Sequence, residues 1–391
     1  MILHPSCAAH GLGVYDMNRH IAHRMSFDQL LTGLREARDQ RLVHERAGPR
    51  GLTQYVYSDK CVYDGAWTPI TMAARGLVLD VGARAIAATP FPKFFNIGER
   101  GEAVPDLPFE TTEKLDGSLI IIFHHNGGWK TATKGSFESS QSQWAQNYLA
   151  NRDLDALQPG VTYLAEAIYP ENRIVVSYVE SGLVLLAAYD ASGAELPYAA
   201  VNAVATALGW RTLRRYAFRS ISDLLTRAEM LPRTEEGFVI RFADGHRLKV
   251  KGNEYRRIHA LISRVTPLAL WEAMAAGDDL GSLRRDLPEE FWSDFDSIRS
   301  LLEASLCALL DKTARAVDGV KDLSDKDIGL RLSSFDADIR GFIFPYRKSA
   351  GNLMASDKFR AALFRALRPT GNALSGYAPS YAMTRMMEES N

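Results

Sequence analysis

The chain has 391 residues, 46% hydrophobic and 24% charged, with a formal net charge of −1 and an isoelectric point near 6.8. Those values suit a water-soluble globular protein long enough for two cored domains, and they exclude a uniformly basic surface, so any nucleic-acid contact must come from a local patch. Three scattered cysteines (Cys7, Cys61, Cys307) exclude a disulfide framework or a C-x-x-C zinc knuckle and point to a reducing compartment, taken as the cytoplasm, and no apolar run approaches the ~18 residues of a membrane span.

Residues 1–25 lack both helical and strand periodicity and the apolar core of a signal peptide, so a disordered leader is expected. Four of the nine histidines lie there (His4, His10, His20, His23), so a metal-binding leader is one alternative and a true start at Met17 or Met25 another. Ser26 and Gln29 form an S-x-x-Q capping box before a helix whose apolar face is Leu30, Leu31, Leu34 and Ala37. Residues 53–57 and 60–63 alternate like hairpin strands, and 72–80 continue the sheet with Arg75-Gly76 inside it. At 91–96, Lys93 stands among Phe91, Phe94 and Phe95, either as a functional cation or as a snorkelling lysine that covers an aromatic cluster.

The run Glu113-Lys114-Leu115-Asp116-Gly117-Ser118 lies between residues 109–112 and 119–123, and reads as strand, tight loop, strand. In a continuous strand Lys114 and Asp116 would share a face, and Gly117 would let the chain turn close to a bulky ligand. An amine beside a carboxylate suits a nucleophile if its pKa falls well below ~10.4; a surface Lys-Asp pair at a turn is the alternative. Asn126-Gly127-Gly128 predicts a hairpin between 120–124 and 129–133. Lys134-Gly135-Ser136 follows, then a helix over about 138–149, a strand over 161–168 carrying Glu166, strands over 173–178 and 183–189, and a helix over 197–208.

Arg211, Arg214, Arg215 and Arg219 alternate with Trp210, Tyr216 and Phe218, a pattern that suits RNA phosphates and bases or an exposed amphipathic edge. Residues 235–240 and 247–251 form a hairpin around Asp244-Gly245. Lys249 and Lys251 share one face of it, able to meet one anion or to form a lysine-rich solvated edge. From Glu254 onward the pattern turns helical, through 261–275, 291–317 and 358–367, with Pro267 or 277–281 as a domain boundary.

Taken together, Ala74-Arg75-Gly76-Leu77-Val78, Lys93 through Glu99, Lys114-x-Asp116-Gly117, Thr133-Lys134-Gly135-Ser136, Glu166, Asn172-Arg173-Ile174-Val175, Glu236-Gly237, Lys249-x-Lys251 and Tyr255 make an ordered series. The series resembles the covalent nucleotidyltransferases, the superfamily of polynucleotide ligases and mRNA capping enzymes. Within that superfamily it is most similar to the T-even bacteriophage RNA ligase 1 family, over roughly 55–259. Leu115 departs from the acidic residue often found between the Lys and Asp, and the leader has no counterpart.

The resemblance implies an α+β fold: a leader over 1–25, an ATP-grasp-like nucleotidyltransferase (adenylylation) domain of antiparallel sheets over 26–264, and an all-helical domain over 265–391. It implies an ATP-dependent RNA ligase. Lys114 would attack the α-phosphorus to give lysyl-AMP, the AMP would pass to an RNA 5′-phosphate, and a 3′-hydroxyl would then seal the strand. Lys249 and Lys251 would act in catalysis, lowering the Lys114 pKa by like-charge repulsion and stabilising developing charge. The nucleotide-binding set would be Arg75, Lys93, Glu113, Asp116, Gly117, Glu166, Glu236, Lys249, Lys251 and Tyr255, with Glu236 at a Mg²⁺ or Mn²⁺ ion. Lys134, Arg211, Arg214 and Arg215 would meet RNA, single-stranded or nicked, with tRNA a candidate. The protein would act as a monomer, away from membranes, with separate kinase or phosphatase proteins healing the ends. A DNA ligase or capping enzyme would carry a C-terminal OB-fold of about five strands, where this chain reads helical; an NAD-dependent ligase would carry zinc cysteines. A non-catalytic RNA-end-binding protein is the remaining alternative.

Overall fold

The computed structural model describes residues 19–380 except 102, 173, 174, 177 and 288–290. The strands, in chain order, are β1 (Val43–Ala47), β2 (Leu52–Tyr57), β3 (Arg75–Asp80), β4 (Ala85–Ala88), β5 (Phe95–Asn96), β6 (Phe109–Lys114) and β7 (Ser118–His125). They continue with β8 (Gly128–Ala132), β9 (Thr162–Ile168), β10 (Gly182–Tyr189), β11 (Arg211–Thr212), β12 (Arg215–Tyr216), β13 (Gly237–Phe242) and β14 (Arg247–Lys251). Helices α1 (Phe27–Asp39), α2 (Asp59–Tyr63), α3 (Pro69–Ala73), α4 (Ser140–Ala150), α5 (Tyr198–Ala207) and α6 (Ile221–Glu229) lie among them. After Lys251 every named element is helical: α7 (Asn253–Ile262), α8 (Pro267–Ala276), α9 (Leu280–Asp286), α10 (Trp292–Asp318), α11 (Asp325–Leu330), α12 (Ile343–Lys348) and α13 (Asp357–Ala366), with short 3-10 turns. The chain divides into two compact units, Met1–Arg256 and Arg257–Asn391.

Unit 1 is built on three sheets, ordered β1-β2-β3-β4, β11-β10-β9-β7-β8 and β12-β6-β13-β14-β5. All pairs are antiparallel except two at sheet edges, β10 with β11 and β14 with β5. The middle sheet buries Ile120, Ile122 and Leu185 with Ala145 and Leu149 of α4 and Val201 of α5. Ile121, Phe123 and Leu164 pack instead with Leu52, Val78 and Phe91. The alternation of Ile120, Ile121, Ile122 and Phe123 between two cores is what an all-apolar strand covered on both faces requires. In the third sheet Phe238, Ile240 and Phe242 pack with Leu224 and Ala228 of α6. The Asn126-Gly127 turn has both residues at positive φ (48° and 77°), as a two-residue hairpin needs. In unit 2, Leu309 of the 27-residue α10 shares a core with Ile328, Ile339, Phe342, Ile343, Leu353 and Leu363. Among the described residues no helix is long and apolar enough to cross a membrane.

Several expectations are corrected. Residues 60–63 are helical, because the Ser58 hydroxyl caps the Cys61 N–H and starts α2. Among 173–178, the described Val175, Val176 and Tyr178 are not in a strand; the Val175 and Val176 N–H groups donate to the Asp116 carboxylate instead of to a ladder. His4 and His10 lie outside the described residues, but the end of the expected leader is ordered. Arg19 bridges to Ala194, the His20 N–H donates to the Gly193 carbonyl at 2.8 Å, and His20, 3% exposed, sets its ring on Tyr189. The His23 ring lies 2.8 Å from the Thr89 hydroxyl. Burial drives the His20 pKa down to about 3 and that of His23 to about 4, so both are neutral packing groups.

Candidate active site

The Lys114 motif marks a change of sheet. β6 ends at Lys114 in the third sheet, and β7 begins at Ser118 in the middle one. Three residues make the crossing. Leu115 is buried with Ile168 and Val184, which accounts for an apolar residue at this position. Gly117 is pressed on β9, where a Cβ would come within 2.5 Å of the Ala167 carbonyl oxygen, and its N–H donates to Glu166 Oε1 at 3.2 Å.

Because the strand stops at Lys114, Asp116 does not share its face. Asp116 is 3% exposed, and its carboxylate accepts from the N–H groups of Val175 (2.8 Å) and Val176 (2.7 Å) and from the Tyr255 hydroxyl (2.7 Å). Its own N–H donates to the Tyr178 hydroxyl at 2.8 Å. Burial and the Glu236 charge raise the Asp116 pKa against these hydrogen bonds. Asp116 and Tyr255, expected at the nucleotide, are here the buried clamp that fixes the Lys114 loop.

β13 lies between β6 and β14, with Gly237 opposite both Lys114 and Lys251. Only glycine fits, since a Cβ would meet the Val250 carbonyl oxygen at 2.0 Å. Glu236, 2% exposed, therefore reaches both lysines: Oε2 to Lys114 Nζ at 2.6 Å and Oε1 to Lys251 Nζ at 3.0 Å. Lys251 Nζ also lies 4.9 Å from the Tyr255 ring.

These contacts correct the expected electrostatics. Burial works to lower the Lys114 pKa, but Glu236, then Glu166, outweigh it and leave the amine above its ordinary value. Glu236 is held below the carboxylate range despite burial, by Lys114 and then Lys251. The depressed amine is Lys249, at about 7, through burial and the charges of Lys114, Lys93, Arg75 and Lys251. Lys249 repels because no carboxylate matches it: among the described residues neither Lys249, Lys93 nor Arg75 has an ion pair. Glu99, which acts on both Lys93 and Lys249, is turned to the Asn96 N–H (2.8 Å) and side-chain amide (2.6 Å). Arg75 lies over the Phe94 ring at 5.5 Å, and its buried Nη1 has no hydrogen-bond partner.

The other expected residues divide. Glu113 faces away from Lys114, as strand alternation requires, and accepts from the Arg214 N–H (2.7 Å) and the Arg211 guanidinium. Arg215 pairs with Glu110 at 2.8 Å. Arg211 and Arg215 are thus matched by carboxylates, whereas the Arg214 guanidinium donates to the Tyr216 hydroxyl at 3.2 Å, and β11 and β12 place the members of the cluster on two sheets. Lys134 packs over the Tyr57 ring at 5.4 Å. Sequence reasoning missed Tyr178, and missed Tyr57 and Trp67, whose rings meet Lys93; no motif signals contacts made across such separations.

For a divalent cation, no group of three or more His, Cys, Asp or Glu side chains able to hold one occurs among the described residues. Glu236, the one carboxylate expected at an ion, has both oxygens taken by Lys114 and Lys251, so an ion there would have to be held chiefly by phosphate oxygens and water.

A lysine amine at a sheet junction, one carboxylate between two ammonium groups, and three cations with no ion pair among the described residues together define a site for a phosphate-rich ligand beside a potential nucleophile. Residues 73–255 match the family model described as RNA ligase, which is the T4 RNA ligase 1 family, and the resemblance drawn from the motifs holds over that segment. A protein of Autographa californica nuclear polyhedrosis virus, provisionally named a bifunctional polynucleotide kinase/RNA ligase, is 28% identical over 54% of this chain and 34% of its own. The RNA ligase of Rhodothermus phage RM378 is 24% identical over 44% of this chain and 48% of its own. The chain thus spans half or less of these relatives' lengths. An archaeal ATP-dependent RNA ligase structure aligns with TM-score 0.46 at 15% identity over 72% of this chain and 83% of its own, too loose a likeness to carry an argument.

Proposed function

We propose that the protein is an ATP-dependent RNA ligase that joins 5′-phosphate and 3′-hydroxyl ends through lysyl-AMP and RNA-adenylate. The observation that carries this reading is Lys114, its side chain 22% exposed and its Nζ 2.6 Å from Glu236, beside cations that have no ion pair among the described residues. The match of residues 73–255 to the RNA ligase family supports it.

In the first step the Lys114 nitrogen bonds to the α-phosphorus of ATP, the bond to the bridging oxygen breaks, and pyrophosphate leaves. The amine must first lose its proton, and because Glu236 Oε2 stabilises the ammonium, that loss requires the Lys114–Glu236 pair to be loosened when ATP binds. Arg75, Lys93 and Lys249 meet the phosphate tail, and phosphate charge near Lys249 restores its protonated form. A divalent cation would add charge neutralisation on the phosphates. Sealing of single-stranded or nicked RNA follows, with tRNA repair the finer reading and end-healing left to other proteins. For the helical unit from Arg257 we propose a part in substrate choice.

Incubation with α-labelled ATP should give acid-labile AMP on the protein, and 5′-phosphorylated RNA should then be sealed. Absence of both, with the protein folded, removes the reading.

A further inference from the structure

Lys93 is held in an unusual way. Its Nζ lies 5.0 Å from the Phe95 ring, 5.3 Å from Trp67 and 5.7 Å from Tyr57, and no carboxylate pairs with it among the described residues. Trp67 is the middle wall: its ring meets Tyr57 edge-on at 5.1 Å and Phe95 at 5.4 Å. The walls come from three segments that are fixed independently. Tyr57 ends β2, and its N–H donates to the Ala74 carbonyl at 2.6 Å. Trp67 sits between α2 and α3, where the Ala66 carbonyl accepts from the Thr71 hydroxyl at 2.9 Å and the Trp67 N–H donates to Gly65 at 2.8 Å. The Lys93 N–H is tied to the Met72 carbonyl at 2.8 Å.

An aromatic face attracts a cation through its quadrupole but carries no net charge. It can therefore fix an ammonium in place without discharging it. Glu236 does the opposite to Lys114 and Lys251: it holds them and neutralises them. A carboxylate at Trp67 would compete with an incoming phosphate, and a ring does not.

We propose that Trp67, with Tyr57 and Phe95, is a positioning residue that presents the Lys93 ammonium, still charged, to the phosphates leaving as pyrophosphate. The inference rests on the reading of the site as an ATP-consuming one, and its test can fail independently of that reading. Two readouts on the full chain serve: the ATP dependence of single-turnover adenylylation, and pyrophosphate binding by calorimetry. Trp67→Met keeps an unbranched apolar side chain and removes the ring. It should weaken pyrophosphate binding and lower the rate at subsaturating ATP roughly tenfold, the scale of a lost cation–π contact in a partly dry site. Trp67→Phe should restore most of that loss. In a Lys93→Met background Trp67→Met should cost nothing further, which a merely structural role would not produce. Tyr57→Leu should behave as Trp67→Met does and serves if that variant does not fold. Unchanged pyrophosphate affinity in a folded ring variant, or a loss that persists undiminished without Lys93, overturns the proposal. If no lysyl-AMP forms at all the ligase reading falls, and the pyrophosphate measurements still decide whether the box acts through Lys93.

Discussion

Strand β14 carries a cluster of buried charge at each end, and the two follow one plan to different outcomes. At its start Glu195 takes the guanidinium of Arg247, as well as that of Arg241 at 3.2 Å, while Arg247 lies 4.7 Å from the Phe91 ring. At its end Glu236 takes Lys114 and Lys251. Each cluster sets one buried carboxylate between two cations. The first stops there. The second adds Lys249, Lys93 and Arg75, none with an ion pair among the described residues, and leaves the Arg75 Nη1 unsatisfied. A cluster that serves only the fold does best with its charges matched, because an unmatched buried cation is costly. Cations left over without an internal anion mark a place kept for a ligand that brings one.

The sharpest way to break that contrast is at Lys114. Lys114→Ala should abolish both AMP transfer to the protein and ATP-dependent sealing, and normal labelling in that variant would place the nucleophile elsewhere. Lys249→Ala and Lys251→Ala should each slow single-turnover adenylylation by at least ~100-fold, the scale of a lost electrostatic stabiliser. At the other end of the strand the effect should fall on stability. Arg247→Ala leaves Glu195 with Arg241 alone and should cost up to about 3–5 kcal/mol in denaturant unfolding, with adenylylation per folded molecule changed by no more than about threefold. A rate loss on the Lys249 scale would erase the distinction between the two ends.

Smaller effects come from pH. Free Lys249 loses its proton as pH rises through about 7, whereas a bound anion keeps it charged. Pyrophosphate binding above that pH should therefore take up a proton and weaken several-fold from pH 6 to 8, a dependence that Lys249→Arg should flatten. His20 and His23 provide a control remote from this charge. Their native values, about 3 and 4, lie below the unfolded 6.5, so the unfolded chain binds more protons between those limits. Their contribution is complete above pH 6.5 and is lost as pH falls toward 4 and then 3. Stability to denaturant should fall over that window and hold steady from pH 7 to 8.

Much of the site was legible because it is written in strand periodicity. Lys249 and Lys251 share a face at a spacing of two, and the same rule would have turned Glu113 away from Lys114 had it been applied there. The Ser26 box and the Asn126-Gly127 turn are local and were readable for the same reason. Residues 60–63 misled because the Ser58 cap outweighs their β-like alternation. The raised Lys114 pKa depends on whether Glu236 or Lys249 lies nearer, and spacing along the chain does not contain that. The bond from Tyr255 to Asp116 spans 139 residues and left no local trace.

The order β12-β6-β13-β14-β5 has a consequence for synthesis. The middle sheet needs nothing beyond Thr212, so it can close while the rest of the chain is still being made. β6 must wait for β13, and Lys114 meets Glu236 only after 122 further residues, roughly 6–24 s at about 5–20 residues per second. During that interval the nascent chain exposes an unpaired β6 edge ending in an unclamped lysine, the kind of surface that recruits another chain. A message broken before codon 237 would yield fragments that lack β13 and β14 and keep that edge open. Such fragments should be inert toward ATP and prone to aggregate, so production of active protein depends on the ribosome reaching Lys251 without a long pause.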